Sequence, residues 1–228
     1  MKPTLNLAET YAPDGAHFRL IRHDGDTFLY MNDRQVMSTR MTYSERLLSD
    51  IGCDFPDRRK GVRVLVGGLG LGFTLRRALE LIDENSVCEV AELLPEIVRW
   101  NNELLEGKND DILNDSRTVV TVADVFDCIR KAANGSSERY DALLLDVDDG
   151  PSSLLQPQNE QLYQPDGLDI LKKCLTPGGR ISFWAVEKDP RLYRSLKKAG
   201  FWVEEYPAAK HERAKRMEHF IYLATERV

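Results

Sequence analysis

The chain has 228 residues, a length that suits one domain of ordinary size, or one domain with a small appendage. Hydrophobic residues make up 42% of it, which is enough for a large core, and the formal net charge is −6. Such an acidic chain is poorly suited to bind nucleic acid, because contacts to phosphates need clustered lysine and arginine. It is better suited to bind a small cationic ligand.

No segment of the sequence is typical of a membrane or secreted protein. The first residues, MKPTLNLAETYAPDG, contain no apolar run of signal-peptide length, and no stretch of about 18 apolar residues occurs anywhere. The four cysteines lie far apart and form no C-x-x-C pair, which disfavours a zinc site and predicts reduced thiols. We therefore predict a cytoplasmic protein without a metal ion.

The first part of the chain has the pattern of a small β-meander. Apolar and polar side chains alternate over residues 17–22, and residues 27–31 are rich in residues that favour strands. Residues 36–38 are a further short strand candidate. The segments HDGD and NDRQ between them are turn signals. We predict a small N-terminal β segment over residues 1–41 and a larger domain over residues 42–228.

From about residue 62, predicted strands alternate with predicted helices. The strands are predicted at 62–67, 86–91, 118–123, 141–146, 179–185, 201–206 and 219–225, and the helices at 74–82, 94–105, 124–133, 159–175 and 190–200. This alternation predicts an α/β protein with a mostly parallel, seven-stranded sheet. Because no helix signal separates the last two strands, we predict that the final strand is antiparallel.

The residues that follow each strand matter most, since ligands of open α/β sheets bind outside the carboxyl ends of the strands. The first strand leads into GGLGLG, where Gly68, Gly70 and Gly72 allow a sharp turn and a close approach of the backbone to a ligand. A dinucleotide fingerprint has a small residue where this chain has Phe73, so the loop favours a mononucleoside such as S-adenosylmethionine over NAD. The alternative is a plain tight turn between strand and helix.

Single residues after three other strands are further candidates. Glu92 lies 24 residues after Gly68, an offset at which an acid accepts hydrogen bonds from ribose hydroxyls; a solvated surface glutamate is the alternative. Asp124 is suited to accept the exocyclic amine of an adenine, to cap the following helix, or both. Trp184 lies near the end of the apolar run of the fifth strand. Its side chain either packs in the core or borders the pocket, and the sequence leaves both interpretations open.

The fourth strand ends in an acidic cluster, LLLDVDDGP, at residues 143–151. Turn-forming aspartates before Gly150-Pro151 explain one or two of its acids. They do not explain Asp146, which follows three leucines directly, because a carboxylate loses hydration there unless it has a partner. We interpret Asp146 as a functional acid and Asp148 as part of the turn.

From about residue 40 to residue 206, the chain resembles a known family, the polyamine aminopropyltransferases typified by spermidine synthase. The resemblance rests on six segments in the same order: TYSERL (42–47), VRVLVGGLGLGFTLRRAL (62–79), AELLPEIV (91–98), DSRTVVTVADVFD (115–127), YDALLLDVDDGP (140–151) and LYQPDGLDILKKCLTPGGRI (162–181). It implies the Rossmann-like class I methyltransferase fold with a small N-terminal β domain. It also implies a homodimer, a small cationic amine as substrate, and decarboxylated S-adenosylmethionine as co-substrate.

The resemblance implies a role for each matching residue. Gly68, Gly70 and Gly72 would line the sulfonium nucleoside. Glu92 would bind its ribose, and Asp124 would contact the adenine with Val125 beside it. Asp146 would be the base near the attacking amine. Asp149 would anchor that amine, with Tyr43 and Glu45 closing over it.

Two departures from the family pattern leave other functions open. Leu71 replaces a loop acid that faces the aminopropyl end of the donor in the family, which favours S-adenosylmethionine itself and a methyltransferase acting on a small molecule. The Asp-Pro of the family becomes Asp149-Gly150-Pro151, which predicts an altered acceptor pocket. A non-catalytic nucleoside-binding protein is a further alternative.

Overall fold

A computed structural model of the chain describes residues 3–105, 107, 111–148, 150, 154–155, 157–209, 211 and 216–226. Its first sheet is antiparallel and has the order β1-β2-β3-β4, with β1 at Thr4–Tyr11, β2 at His17–His23, β3 at Asp26–Met31 and β4 at Arg34–Ser38. Both predicted turns are present as two-residue turns with positive φ, at Asp24-Gly25 and Asn32-Asp33, which suits the twist of hairpins. The strand β1 was not predicted.

The second sheet has seven strands in the order β10-β11-β9-β8-β5-β6-β7. The strands are β5 Arg63–Gly67, β6 Val87–Glu92, β7 Thr118–Val122, β8 Tyr140–Leu145, β9 Leu175–Ala185, β10 Phe201–Ala209 and β11 Met217–Glu226. Strand β11 is antiparallel to both of its neighbours, whereas β5 to β9 pair in parallel. The predicted mostly parallel sheet with an antiparallel last strand is confirmed.

In the described part of the chain, six α-helices cover the two faces of this sheet. They are α1 Tyr43–Gly52, α2 Phe73–Leu81, α3 Pro95–Glu103, α4 Val125–Ala133, α5 Pro165–Lys173 and α6 Pro190–Lys198. Apolar side chains of α1, α2 and α3 form one buried cluster, which also includes residues of the small sheet, and those of α4, α5 and α6 form a second. The predicted boundary at residues 41–42 falls between β4 and α1.

Two helices differ from the sequence-based prediction. In place of the predicted helix at 159–175, the structure has a short 3-10 helix at Pro157–Leu162 followed by α5. Pro165 begins α5, because the first residue of a helix donates no hydrogen bond within the helix and proline has no N–H to donate. Helix α1 was not predicted as a helix. It packs closely on the sheet at Gly52, where an added Cβ would lie 2.2 Å from Leu144 Cδ2 and 2.6 Å from Ser182 Oγ.

In the described part of the chain, none of the helices is long and apolar enough to cross a membrane. All four cysteines are buried free thiols, as their apolar sequence contexts predicted for Cys88 and Cys174. The order of the large sheet changes direction at β5, with β6 on one side and β8 on the other. Such a switch point opens a crevice at the carboxyl ends of the strands.

Candidate active site

A cleft of about 1100 Å³, counting the part open to solvent, lies at the carboxyl ends of the central strands. Concave sites of this kind, at the switch point of an open α/β sheet, are where small ligands and cofactors typically bind. Among the predicted site residues, the cleft brings together Glu45, Gly68, Gly70, Glu92, Asp124, Val125 and Asp146. Asp149 lies outside the described residues.

The glycine loop forms the floor of the cleft between β5 and α2. Gly68 has φ +83° and Gly70 has φ +50°, in the left-handed region that favours glycine. Asn101 of α3 fixes the loop by donating its Nδ2 hydrogen to the Gly70 carbonyl at 2.9 Å. Gly72 caps the N-terminus of α2 and is not among the residues on the cleft wall, so its contact with a nucleoside remains a prediction.

Met37 of the small sheet lies directly over this loop. A Cβ added at Gly70 would come within 2.3 Å of Met37 Sδ, so a larger residue here would displace the methionine side chain. Met37 also lines the cleft. The small sheet is thus docked on the glycine loop by a contact that the sequence did not predict.

Glu92 ends β6 and links two loops at the cleft wall. One carboxylate oxygen accepts from the Leu69 N–H of the glycine loop at 2.9 Å, and the other accepts from the Leu94 N–H at 2.9 Å. Burial raises the pKa of the Glu92 carboxyl, although these N–H groups act in the opposite direction. The alternative of a solvated surface glutamate is wrong, because Glu92 is buried.

Asp124 caps helix α4 and also lines the cleft. Its carboxylate accepts from the Phe126 N–H at 2.8 Å, which satisfies one of the unpaired donors at a helix N-terminus. The predicted helix cap is therefore confirmed, and the predicted adenine contact stays a prediction. Val125, the first residue of α4, adds an apolar contact to the same wall.

The acidic segment after β8 places two aspartates at the cleft with different surroundings. Asp146 follows the strand directly, is half-buried, and its N–H donates to the Gly67 carbonyl at 3.3 Å. Asp148 is only 2% exposed. It accepts from the Leu155 N–H at 2.7 Å, from Asn159 Nδ2 at 3.0 Å and from the Tyr163 hydroxyl at 3.2 Å. Asp148 therefore anchors the chain after the turn.

Helix α1 contributes a buried acid to the cleft. Glu45 lies in its first turn, lines the cleft and accepts from the Ser44 hydroxyl at 2.7 Å. Burial raises the pKa of the Glu45 carboxyl. Tyr43 begins the same helix, but the structure does not place it among the residues on the cleft wall.

Sequence reasoning missed the contribution of the small sheet. Its side chains on the cleft wall are all apolar: Phe18, Leu29, Met31, Val36 and Met37. Part of the signal was present, because Leu29 and Met31 alternate along β3 and so lie on one face. Trp184 also lines the cleft, so the open question of its position is answered in favour of the pocket.

The charges on the cleft wall have one sign. Five carboxylates line it, those of Glu45, Glu92, Asp124, Asp146 and Asp148, and no lysine, arginine or histidine does so among the residues that the structure describes. The described residues also contain no cluster of histidine, cysteine, aspartate and glutamate suited to a metal ion. A cleft of this composition attracts cations and repels anions.

Leu71 is not among the residues that line this cleft. Its side chain is 1% exposed and packs in the apolar cluster that also contains Leu75 and Trp100. The glycine loop therefore presents no carboxylate to the cleft. A carboxylate buried at the position of Leu71 would also lose its hydration without gaining a partner.

We predict that the raised pKa of Glu45 makes stability depend on pH. Because the folded state favours the neutral carboxyl, the stabilisation is complete below the usual pKa of 4.5 and is lost as pH rises through the raised pKa. The free energy of unfolding of the wild type should therefore fall relative to that of Glu45→Gln as pH rises. Urea unfolding of the wild type and the variant at several values between about pH 3 and 7.5 measures this difference.

Glu80→Gln is the matched control, with the opposite sign. The Arg77 guanidinium, 2.6 Å from a carboxylate oxygen of Glu80, lowers the pKa of that carboxyl. The wild type should therefore gain stability relative to Glu80→Gln as pH rises toward 4.5. Equal trends in the two variants would contradict the assignment of a raised pKa to Glu45.

Comparison with known proteins places the chain near one group of transferases. No protein-family model matches it. Polyamine aminopropyltransferase 1 of Hyperthermus butylicus is 28% identical over 174 residues, which cover 72% of this chain and 56% of the relative. The matched part of the chain thus spans little more than half of that protein's length. The predicted resemblance to spermidine synthase-like proteins is confirmed.

Solved structures show the same fold. A spermidine synthase in complex with the transition-state analogue AdoDATO has a TM-score of 0.73 at 14% identity, and the spermidine synthase of Thermotoga maritima has 0.75 at 13%. Each match covers 98% of this chain and 73% of the other. Human methyltransferase-like protein 13 in complex with SAH has a TM-score of 0.58 at 22% identity, covering 80% of this chain and 79% of the other. The predicted class I methyltransferase fold is confirmed.

Proposed function

We propose that this protein is a transferase that moves an aminopropyl group from decarboxylated S-adenosylmethionine to a small amine. The observation that carries the proposal is the set of five carboxylates, without a described basic side chain, around a glycine loop at the switch point of the sheet. The reaction joins two cationic molecules. A cleft with this charge binds both and lowers the repulsion between them.

The nucleoside is proposed to lie across the loops after β5, β6 and β7. Gly68, Gly70 and Gly72 let the backbone approach the donor closely. Glu92 accepts hydrogen bonds from the ribose hydroxyls with the oxygen lone pairs that the backbone N–H groups leave available. Asp124 accepts from the adenine amine in the same way, with Val125 against the ring.

The acceptor amine is proposed to lie at Asp146, with Asp149, Tyr43 and Glu45 as further binding residues. A free alkylamine has a pKa of about 10, so it arrives protonated and must lose a proton. Asp146 accepts that proton. The nitrogen lone pair then forms a bond to the carbon beside the sulfonium while the carbon–sulfur bond breaks. Its electron pair goes to sulfur, which leaves as neutral methylthioadenosine.

Alignment of the two substrates is the main contribution of the protein in this scheme. The sulfonium already activates the donor, and correct placement of two reactants can lower a barrier by roughly 7–11 kcal/mol. Removal of the amine proton by a positioned carboxylate adds typically about 10²–10⁴-fold. The reaction requires no metal ion.

The charge of the cleft also supports the decarboxylated donor over S-adenosylmethionine itself. The decarboxylated molecule carries a sulfonium and an ammonium, whereas S-adenosylmethionine adds a carboxylate. Like charges that face one another at a binding site cost several kcal/mol, and the described cleft wall has no cationic side chain to offset this. We expect at least tenfold tighter binding of the decarboxylated donor by calorimetry.

Methyl transfer from S-adenosylmethionine to a small molecule is the second candidate. It is favoured by Leu71, whose burial leaves the glycine loop without an acid for the donor's amine. Tighter binding of the carboxylated donor, with release of S-adenosylhomocysteine on addition of an acceptor, would support it. Binding of the nucleoside without either product would support a non-catalytic protein instead.

Release of methylthioadenosine is the direct test of the proposed function. The purified protein is incubated with decarboxylated S-adenosylmethionine and a series of amines, including putrescine, and the product is measured by mass spectrometry. We expect release that depends on both the amine and the protein. Absence of release with every amine would contradict the proposal.

Two further properties are proposed. The buried free thiols favour action in the cytoplasm, and the resemblance favours a homodimer. Sedimentation velocity at micromolar concentration tests the second, with a single species of twice the 26.0 kDa chain mass as the expected result.

A further inference from the structure

The small N-terminal sheet forms an apolar wall of the cleft. Phe18 of β2, Leu29 and Met31 of β3, and Val36 and Met37 of β4 all line it, and none of them carries a polar group. Phe18, Val36 and Met37 remain half-buried. They therefore offer apolar surface that a ligand can cover.

Two residues of the larger domain extend this apolar surface. Leu155 and Trp184 line the same cleft. The Trp184 ring packs against the His219 ring with centroids 4.8 Å apart, and a ring nitrogen of His219 lies 3.1 Å from the Val186 carbonyl oxygen. This packing holds the indole in place. A rigid aromatic side chain offers a large contact area at a low cost in conformational entropy.

The described carboxylates of the cleft all come from other elements. Glu92 is the last residue of β6, whereas Asp124 follows β7, Asp146 and Asp148 follow β8, and Glu45 belongs to α1. Asp148 is already hydrogen-bonded to the Leu155 N–H, to Asn159 and to Tyr163. An ammonium placed against the small sheet would lose its hydration there without a counter-charge from the described lining residues of that sheet, which is unfavourable.

We infer that the acceptor is a primary amine with one cationic end and an apolar body, which the small N-terminal sheet selects. This inference rests on the proposed function, because it concerns the molecule that receives the aminopropyl group. The amine nitrogen lies at Asp146, and the hydrocarbon lies against Val36, Phe18 and Trp184. A diamine such as putrescine places a second ammonium where this protein has an apolar wall.

Pentylamine and putrescine form the matched pair that tests the inference. They have the same length, and the terminal methyl group of one replaces the second ammonium of the other. We expect kcat/KM for methylthioadenosine release to be at least tenfold higher with pentylamine. Along a series of longer n-alkylamines, kcat/KM should rise by roughly fourfold per added methylene group until the wall is covered.

A charge introduced on the wall provides a second measurement. Val36→Glu adds a carboxylate to the small sheet, and Val36→Gln adds a side chain of the same length without the charge. The ratio of kcat/KM for putrescine to that for pentylamine should rise at least tenfold more in Val36→Glu than in Val36→Gln. Circular dichroism and the Tm of each variant verify that the small sheet remains folded.

The outcomes separate the inference from the function on which it rests. Release of methylthioadenosine with putrescine at an equal or higher kcat/KM than with pentylamine overturns the inference and leaves aminopropyl transfer intact. No release with any amine overturns both. A higher kcat/KM for pentylamine, with a rise along the alkylamine series, supports both.

Discussion

Asp146→Asn is expected to lower kcat/KM for methylthioadenosine release by about 10²–10⁴-fold, the usual range for a positioned general base. Asparagine has nearly the same shape but does not accept the amine proton. The loss should appear in kcat, because Asp146 acts on the reacting nitrogen. Steady-state kinetics with the best acceptor measures it, and calorimetry should find the donor Kd within about threefold of the wild type.

Asp148→Asn is the matched control from the same acidic segment. Its carboxylate accepts hydrogen bonds from Leu155, Asn159 and Tyr163, so an amide at this position turns one acceptor into a donor. Leaving a buried group unsatisfied costs about 1–3 kcal/mol, and we expect that loss in the free energy of unfolding. If Asp146→Asn retained activity within tenfold of the wild type, Asp146 would not be the base.

Gly70→Ala is expected to lower the free energy of unfolding by about 2–5 kcal/mol and to weaken donor binding at least tenfold. The left-handed backbone of Gly70 costs a residue with a Cβ about 1–2 kcal/mol, and a clash in a packed site adds about 1–3 kcal/mol. The added Cβ would come within 2.3 Å of Met37 Sδ, so the Met37 side chain must move from its present position. Chemical denaturation and calorimetry measure the two effects.

A double-mutant cycle with Met37→Ala separates the two causes. Without the methionine side chain the clash disappears, and Gly70→Ala should cost only the backbone part, about 1–2 kcal/mol. Hydrogen exchange of β4 should increase in Gly70→Ala and return toward the Met37→Ala level in the double variant. The same cost of Gly70→Ala in both backgrounds would show that Met37 does not press on the loop.

The sequence predicted best those features for which the local sequence pattern and the tertiary fold favour the same residues. Apolar runs alternating with helical patterns predicted all seven strands of the large sheet. The signal is strongest for central strands such as β5 and β8, because strands covered on both faces have near-continuous apolar runs. The glycines of the loop and the acids after the strands predicted the position of the cleft. Glu92, Asp124 and Asp146 could be found because a polar side chain directly after a buried strand is unusual.

Other parts of the fold had weak local signals. Strand β1 is an edge strand that is mostly exposed, so its pattern of apolar residues is poor. Helix α1 had a usable signal in Leu48 and Ile51, which are three residues apart and buried, but its start was interpreted only through Tyr43 and Glu45. The predicted single helix at 159–175 is instead a 3-10 helix followed by α5, because Pro165 begins a helix more readily than it continues one.

The sequence by itself determined the alternation of strands and helices, the glycine loop and the acidic character of the site, because each depends on neighbouring residues. Only the tertiary structure decided which side chains share the cleft. In the tertiary structure Leu71 packs in the core, and Asp148 accepts a hydrogen bond from Tyr163, fifteen residues further along the chain. Met37 of the small sheet lies against Gly70 of the glycine loop. These contacts join distant parts of the chain, and no local pattern encodes the packing of one sheet on the loop of another.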